Sequence, residues 1–354
     1  MGTKIKVAFD RTHKEILKIG KSGEHEWESW AKAEELIRKK GFEIIILEKS
    51  PLKFSDLSQF NILIIGAPQT KFSDDEISSI VQFVKKGGNL LTINEQGGDL
   101  RNNTNLSEIT KNFGIKFNND MVHDEVHNIK GYAYGPVISD FEYCSSLTFN
   151  IREFNILLGC SLTVSNEALI VARSSKDSYI KVKTPSGKWK RKEGTLMPVL
   201  AAYESSGEGG RVVAIGDPHI FSDDDVGMPL YNNRLLFNNI IDWLSEPLLN
   251  AEEKFSILSN KINKISDDLV RLKKKMGIIE TGDSVYRPGS YLPDEIVARI
   301  DKLESSLKVT DKKLDEKKIK YYKTRIRLEI WALIISILSL MTVFIIGLIV
   351  GSGP

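Results

Sequence analysis

Four short polar clusters each follow directly on an apolar run. Asp10, with His13 and Glu15 just beyond it, follows residues 4–9 (KIKVAF). Ala67-Pro68-Gln69 follows residues 61–66 (NILIIG), and Asn94-Glu95-Gln96-Gly97-Gly98-Asp99 follows Asn89–Ile93. Gly216-Asp217-Pro218-His219 follows Arg211–Ile215 (RVVAI). Carboxylates beside imidazoles can act as an acid/base pair when they lie within hydrogen-bond reach. In open parallel sheets ligands bind beyond the carboxyl ends of the strands, so four such ends would converge in one crevice. The expected ligand-binding set is Asp10, His13, Gln69, Glu95, Gly97, Gly98, Asp217 and His219. Each alone is an ordinary turn residue; the recurrence is the signal.

No catalytic nucleophile accompanies them. A nucleophile elbow needs Ser or Cys on a strained strand-to-helix turn, as in G-x-S-x-G. No such motif occurs, and the turn after Ile93 offers Glu95 instead. Cys160 sits in an apolar stretch and reads as a buried hydrophobe. Gly20-Lys21-Ser22 resembles the end of a phosphate-binding loop, but the glycine required five residues earlier is Glu15. His123-Asp124-Glu125-Val126-His127 approaches the H-E-x-x-H zinc pattern with Asp in second place. Asn118, Asn119 and Asn128 argue against the helix that pattern needs, so a surface loop is expected there. Cys144 and Cys160 are too few for a disulfide framework or a zinc spacing. No metal and no cofactor is expected.

The elements that must position these clusters alternate. Residues 27–40 carry helical spacing and stop at Gly41. Glu43–Leu47 (EIIIL) and residues 61–66 are near-continuous apolar runs, which suit parallel strands buried on both faces. Ser73-Asp74-Asp75-Glu76 is a capping box, opening a helix to Lys86 that ends at Gly87-Gly88. Strands alternating with helices indicate βαβ units and a parallel sheet. Between about 115 and 205, shorter and partly antiparallel strands are expected at 157–164, 168–172, 179–182 and 199–203. Residues 233–244 form a last amphipathic helix, closed by Pro247. This gives an α/β domain over residues 1–248.

The pattern then changes. Phe255, Leu258, Ile262, Ile265, Leu269, Leu272 and Met276 fall at alternating spacings of three and four, an a/d heptad seam. Residues 277–293 break it with Gly282, Pro288, Gly289 and Pro293. A second seam runs through Ile296, Ile300, Leu303, Leu307, Thr310, Leu314 and Tyr321. Residues 249–329 thus read as a helical coiled-coil stalk. The seams at 255–276 and 296–321 suit homo-oligomerisation or partner docking, or an intramolecular hairpin acting as a spacer. Residues 330–350 (IWALIISILSLMTVFIIGLIV) carry no charge and are long enough for a transmembrane helix. Lys312, Lys313, Lys317, Lys318, Lys320, Lys323, Arg325 and Arg327 precede them, and basic flanks stay cytoplasmic. The N-terminus shows no secretory signal. The expectation is a single-pass, tail-anchored membrane protein with a cytoplasmic N-terminal domain and the lipid bilayer as a partner through 330–350. A net charge of +2 argues against nucleic-acid binding.

Several segments in order carry a family resemblance: Val7-Ala8-Phe9-Asp10-Arg11-Thr12-His13-Lys14-Glu15, Gly66-Ala67-Pro68-Gln69-Thr70-Lys71-Phe72-Ser73, Gly87-Gly88, Glu95-Gln96-Gly97-Gly98-Asp99, Phe113-Gly114-Ile115, Gly209-Gly210-Arg211-Val212-Val213-Ala214-Ile215-Gly216, Phe221-Ser222-Asp223 and Ile241-Asp242-Trp243-Leu244. Together they resemble the GIFT domain, over about residues 4–248. That family is shared by an intraflagellar-transport complex B subunit, the gliding-associated transporter component GldG and a small subunit of oligosaccharyltransferase. The resemblance implies a flavodoxin-like sheet related to class I glutamine amidotransferases, with their Cys-His-Glu triad lost. It also implies an assembly module, or a domain that binds sugars or peptides, rather than an enzyme. Beyond Pro247 the chain departs from the intraflagellar-transport subunit, so a ciliary role does not carry over. The first functional expectation is a non-enzymatic, membrane-tethered adaptor with a protein partner or membrane complex, binding a protein or glycan-like ligand at the strand-end crevice. The alternatives are a cryptic hydrolase or sugar-processing enzyme using Asp10, His13, Glu95, Asp217 and His219, and an accessory subunit of a membrane transporter.

Overall fold

Apolar five-residue runs separated by amphipathic helices build the first half of the molecule. The computed structural model describes residues 4–19, 25–141, 146–184, 187–248, 279–281 and 284–286. Strands β1 (Lys6–Asp10), β2 (Glu43–Leu47), β3 (Ile62–Gly66) and β4 (Asn89–Ile93) alternate with helices α1 (Ala31–Lys39), α2 (Phe54–Leu57) and α3 (Asp74–Lys85). Two short helices follow, α4 (Gly98–Asn102) and α5 (Leu106–Thr110). A strand-rich stretch comes next: β5 (Ile115–Phe117), β6 (Asp120–Asp124), β7 (Asn128–Ile129), β8 (Tyr132–Ile138), β9 (Asp140–Phe141), β10 (Phe154–Asn155), β11 (Leu162–Val164), β12 (Leu169–Arg173), β13 (Ser178–Lys183), β14 (Trp189–Glu193) and β15 (Pro198–Glu204). Strand β16 (Arg211–Ile215) and helix α6 (Asn233–Ser245) complete the domain.

The main sheet has eight strands in the order β2-β1-β3-β4-β16-β15-β12-β9. The first five run parallel, and β15, β12 and β9 continue antiparallel. The chain is therefore an α/β protein with a mixed sheet. Strands β3 and β4 are buried at every position, as strands covered on both faces must be. One face presents Ala8, Leu63, Ile65, Leu90, Val212 and Ala214 to a core with Ile80, Phe83 and Val84 of α3 and Leu106 and Ile109 of α5. On the other face Trp30 meets Phe9, Phe221 and Phe237 edge-on at 6.4, 5.8 and 5.7 Å.

Helix starts are fixed in two ways. Helix α3 opens with the Ser73–Glu76 capping box. Helix α1 opens at Ala31, later than its spacing suggested, because a carboxylate from far along the chain caps it. Asp223 accepts hydrogen bonds from the backbone N–H of Ala31 and of Lys32, each at 2.9 Å, and from Ser29 Oγ. A carboxylate there satisfies free N–H groups and meets the positive end of the helix dipole.

Residues 120–124 correct the expected loop. They form β6 in a three-stranded sheet of order β14-β13-β6, with His123 buried against Tyr179 and His127 beyond the strand end.

The chain divides into two compact units, Met1–Leu248 and Leu249–Pro354. The described part of the second is an antiparallel pair, β17 (Ile279–Thr281) and β18 (Ser284–Tyr286). The heptad seams at 255–276 and 296–321 and the apolar stretch 330–350 lie outside the described residues. Among the described residues no helix is long and apolar enough to cross a membrane.

Where β16 ends, the chain passes very close to its neighbour. A Cβ on Gly216 would stand 1.9 Å from the carbonyl oxygen of Cys160. Gly216→Ala therefore forces the two backbones apart and is expected to cost about 3 kcal/mol. Urea unfolding of the full chain checks this; an unchanged midpoint would refute the close approach.

Candidate functional site

Strand β1 leads to β2 on one side and lies beside β3 on the other, so the crevice where strand order reverses opens between the ends of β1 and β3. The chain itself fills that crevice. The segment after β1 folds back along the segment after β3: Ile16 N–H donates to Ala67 O at 3.1 Å, Leu17 N–H to Gly66 O at 3.4 Å, and Gln69 N–H to His13 O at 2.9 Å. The Leu17 side chain lies over Gly66.

Inside this plug sits a buried ionic network. Asp10, the last residue of β1, accepts from Thr12 N–H at 2.9 Å and from Thr12 Oγ1 at 2.8 Å. Its other oxygen is 2.9 Å from His13 Nδ1. His13 Nε2 faces Glu76 Oε1 at 3.5 Å, and the ring stacks on Phe72 at 3.8 Å. Glu15 accepts from the His13 N–H at 3.1 and 3.2 Å. Glu76 accepts from Ser50 Oγ and Leu52 N–H, each at 3.0 Å, and from Ser73 N–H and Oγ at 3.0 and 2.8 Å. Asp10, His13, Glu15 and Glu76 are all buried.

The network balances two carboxylates against one imidazole, and backbone and hydroxyl donors take up the remaining negative charge. Burial opposes charge on Asp10, but hydrogen bonds from His13 and Glu15 and the charge of His13 outweigh it and hold its carboxyl below the ordinary value. Burial likewise opposes charge on His13, but Asp10 and Glu76 on either side raise it. Burial, with Asp10 alongside, pushes Glu15 up to about 9, so Glu15 keeps its proton at neutral pH. Desolvation acts against Glu76 too, yet its donors hold it down at about 2. Asp10, His13 and Glu15 each place one possible metal-ligand atom within 4.8 Å of the others. In the protein as described those atoms are engaged with one another.

A second group gathers at the ends of β4 and β16. Asn94 N–H donates to Ile215 O at 3.1 Å, joining the two strand ends. Its side-chain oxygen accepts from Glu95 N–H at 2.9 Å and from Asn102 Nδ2 at 3.1 Å. Gly97 and Gly98 turn the chain into α4 with φ of 75° and 51°, the left-handed region open to glycine. Gly97 N–H donates to Asp120 O at 2.7 Å, and a Cβ on Gly98 would stand 2.5 Å from Asn118 O. The turn returns Arg101 to Glu95, whose carboxylate it meets at 2.7 Å.

Asp217 is fully buried and accepts from Leu157 N–H at 2.7 Å and His219 N–H at 2.8 Å. Burial, with Glu95 and Asp224 nearby, pushes it up to about 8. Burial pushes His219 down against the pull of Glu95 and Asp224, so its ring is neutral. That ring lies 5.6 Å from Trp27, and its Nδ1 has no hydrogen-bond partner among the described residues. Trp27 is 37% exposed.

The eight residues read from the sequence thus fall into two groups. Asp10, His13 and Gln69 meet in the plug. Glu95, Gly97, Gly98, Asp217 and His219 gather at β4 and β16. Trp27, Arg101 and Asp120, which sequence reasoning did not single out, join the second group. Arg101 carries no motif; only the left-handed turn at Gly97 swings it back to Glu95. Cys160 is buried between these strands, its N–H donating to Gly216 O at 2.8 Å. Burial and the nearby carboxylates of Asp120 and Asp99 push its thiol well up, away from a reactive thiolate.

The fold is a mixed α/β sheet whose switch point is closed by its own chain. Residues 17–132 match the family model of the IFT52 GIFT domain. The intraflagellar transport protein 52 homolog of Homo sapiens is 22% identical over 218 residues, covering 56% of this chain and 46% of that protein. The Mus musculus homolog is 23% identical over 219 residues, covering 56% and 47%. The chain spans about half the length of these curated relatives. The solved mmIFT52 N-terminal domain superimposes with a TM-score of 0.56 at 21% identity, covering 68% of this chain and 97% of that one, a likeness of fold. Over residues 17–132 the chain is thus similar to the GIFT domain.

These findings correct the expected localisation. The curated relatives are named as intraflagellar transport proteins, and no described helix is long and apolar enough to span a bilayer. The single-pass, tail-anchored placement is withdrawn.

The raised groups set a pH dependence. Glu15 and Asp217 bind protons more tightly folded than unfolded, so their contribution is full below about pH 4 and is lost as pH rises through about 8 to 9. His13, also raised, acts in the same direction above its ordinary 6.5. Above pH 7, past the range where the lowered His123 and His219 act in the opposite direction, stability by urea unfolding is expected to fall towards pH 9. Glu15→Gln, which keeps the shape without the proton, is expected to flatten that slope. A variant with the parent's slope would show that Glu15 does not carry it.

Proposed function

We propose that this chain is a non-enzymatic assembly module, a subunit of a multiprotein complex. Residues 1–248 form the binding domain on a flavodoxin-like sheet related to glutamine amidotransferases. The observation that carries this reading is the plug: the crevice where such sheets hold ligands is occupied by Asp10, His13 and Glu15, which serve one another. The names of the relatives place them in intraflagellar transport, a multiprotein system, and that supports a protein partner for this chain. In this reading the open mouth is at β4 and β16, where Trp27, Arg101, Glu95 and His219 meet a protein or glycan-like ligand. Tryptophan and arginine are the side chains that most often dominate such contacts. Residues 249–329 act as a spacer stalk, its heptads at 255–276 and 296–321 pairing within one chain.

A second reading, a hydrolase or sugar-processing enzyme, draws on one feature. Asp217 holds a proton beside a neutral His219 with an unengaged Nδ1, a pairing that general acid/base chemistry uses.

Affinity purification of the full chain from its source cells separates the two. The expected result is a stoichiometric protein partner whose affinity drops about thirtyfold with Trp27→Ala or Arg101→Glu. A partner retained by both variants would move the docking site elsewhere. Turnover by the purified chain that is lost in Asp217→Asn and Glu95→Gln would establish the enzyme.

A further inference from the structure

Strand β2 is the outer edge of the eight-stranded sheet. It pairs with β1 in parallel, from Lys6 opposite Glu43 to Asp10 opposite Leu47. Glu43 N–H donates to Ile5 O and Arg11 N–H donates to Leu47 O, each at 2.9 Å. Bonds in a parallel pair fall on alternate residues. Glu43, Ile45 and Leu47 therefore turn their backbone groups to β1, while Ile44 and Ile46 point theirs outward. Ile46 is 39% exposed, and Glu43, Glu48 and Lys49 are exposed around it.

Native edge strands are usually blunted by lysines, proline or a bulge. The contrast lies within this molecule. Strand β14, the edge of the three-stranded sheet, reads Trp189-Lys190-Arg191-Lys192-Glu193 and is charged along its length. Strand β2 reads Glu43-Ile44-Ile45-Ile46-Leu47, pairs without a register shift and carries no such protection. The opposite edge of the main sheet, β9, is two residues long.

We propose that a second copy of this chain docks antiparallel on β2, joining two sheets across a two-fold axis at Ile46. Such an interface is isologous, so each contact occurs twice. With Ile46 opposite its own copy, Ile44 stands opposite the copy's Glu48, and Glu43 stands opposite the copy's Lys49. Neither Glu43 nor Lys49 has an ion-pair partner among the described residues, and this register supplies both. Slipping the axis to Ile45 would set Glu43 against Leu47 and lose the complementarity. The same register covers the most exposed apolar side chain of the strand. The surface is separate from the β4–β16 mouth, so the inference does not depend on the ligand proposed there.

The test uses the full chain with Cys144→Ser and Ile46→Cys, leaving the buried Cys160 in place, and a short thiol cross-linker. A covalent dimer through residue 46 is expected. By sedimentation, Glu43→Lys alone and Lys49→Glu alone are each expected to weaken the dimer about tenfold, and the double reversal to restore it. Ile46→Lys, which sets two like charges on the axis at an exposed position, is expected to leave monomer while the fold persists by circular dichroism. Three results would each overturn the proposal: a monomer throughout, a double reversal that fails to restore, or a dimer held by the C-terminal heptads with residue 46 unlinked. A strand from a different protein in this slot would appear as a mixed adduct with no self-adduct, and would also overturn it.

Discussion

Three carboxyl groups and one imidazole share a buried space at the end of β1, and satisfying their charge is the constraint on which the surrounding structure depends. An unpaired charge in such a place costs several kcal/mol. The solution divides the work. His13 takes the positive charge between Asp10 and Glu76, Glu15 keeps a proton, and Glu76 collects four donors. Those donors come from separate pieces of chain: the segment at Ser50 and Leu52, and the first turn of α3 at Ser73. Lifting the 11–19 segment would strand Asp10 and Glu76 without His13. The plug is thus held by electrostatics as well as by Leu17 on Gly66, and the sheet's ordinary ligand crevice stays shut.

The capping box shows how one local motif is drawn into this larger arrangement. Glu76 satisfies the helix start through one oxygen and faces His13 with the other. A residue that the sequence assigns to a cap is also the outer wall of the ionic network. Likewise Asp223 caps α1 from the far end of the domain, which ties the segment carrying Trp27 to the loop that follows His219. The Trp27 segment at the β4–β16 mouth is therefore held by a long-range cap as well as by the strands.

How much of this was legible follows from where the determining contacts lie. Glu43–Leu47 and Asn89–Ile93 match the observed strands to the residue, because a mostly apolar five-residue run between turn signals has few other stable outcomes. The Ser73–Glu76 box was equally plain, since all its parts lie within four residues. Helix α1 was read as starting at Trp27 because spacing alone cannot reveal a cap nearly two hundred residues away. Strands β5 to β8 and β14 escaped notice for another reason. Strands β5 and β7 are two or three residues long, β6 and β14 carry charges, and β8 contains Gly135-Pro136, which reads as a turn. His123, read as part of a loop, is buried through its pairing opposite Tyr179, a partner more than fifty residues on. The eight candidate residues were visible as a recurrence after apolar runs. Their division into two groups was not, because it depends on the path of residues 11–19 across β3.

The two groups also show why shifted proton affinities do not by themselves mark chemistry. Structural ion networks perturb them as active sites do. In the plug, the shifts of Asp10, His13, Glu15 and Glu76 are each matched by a partner inside the network, and only the Gln69 Nε2 beside it is buried without a partner among the described residues. At β4 and β16, Asp217 is held by two backbone N–H groups, but the His219 ring keeps an unengaged nitrogen beneath a half-exposed tryptophan, beside an arginine at the surface. Satisfied polar atoms stabilise a fold, and an unsatisfied buried one costs about 1–3 kcal/mol. At the second group that nitrogen lies beside the exposed Trp27, where a ligand from outside the chain can meet it, and that is the physical reason to look for the ligand there.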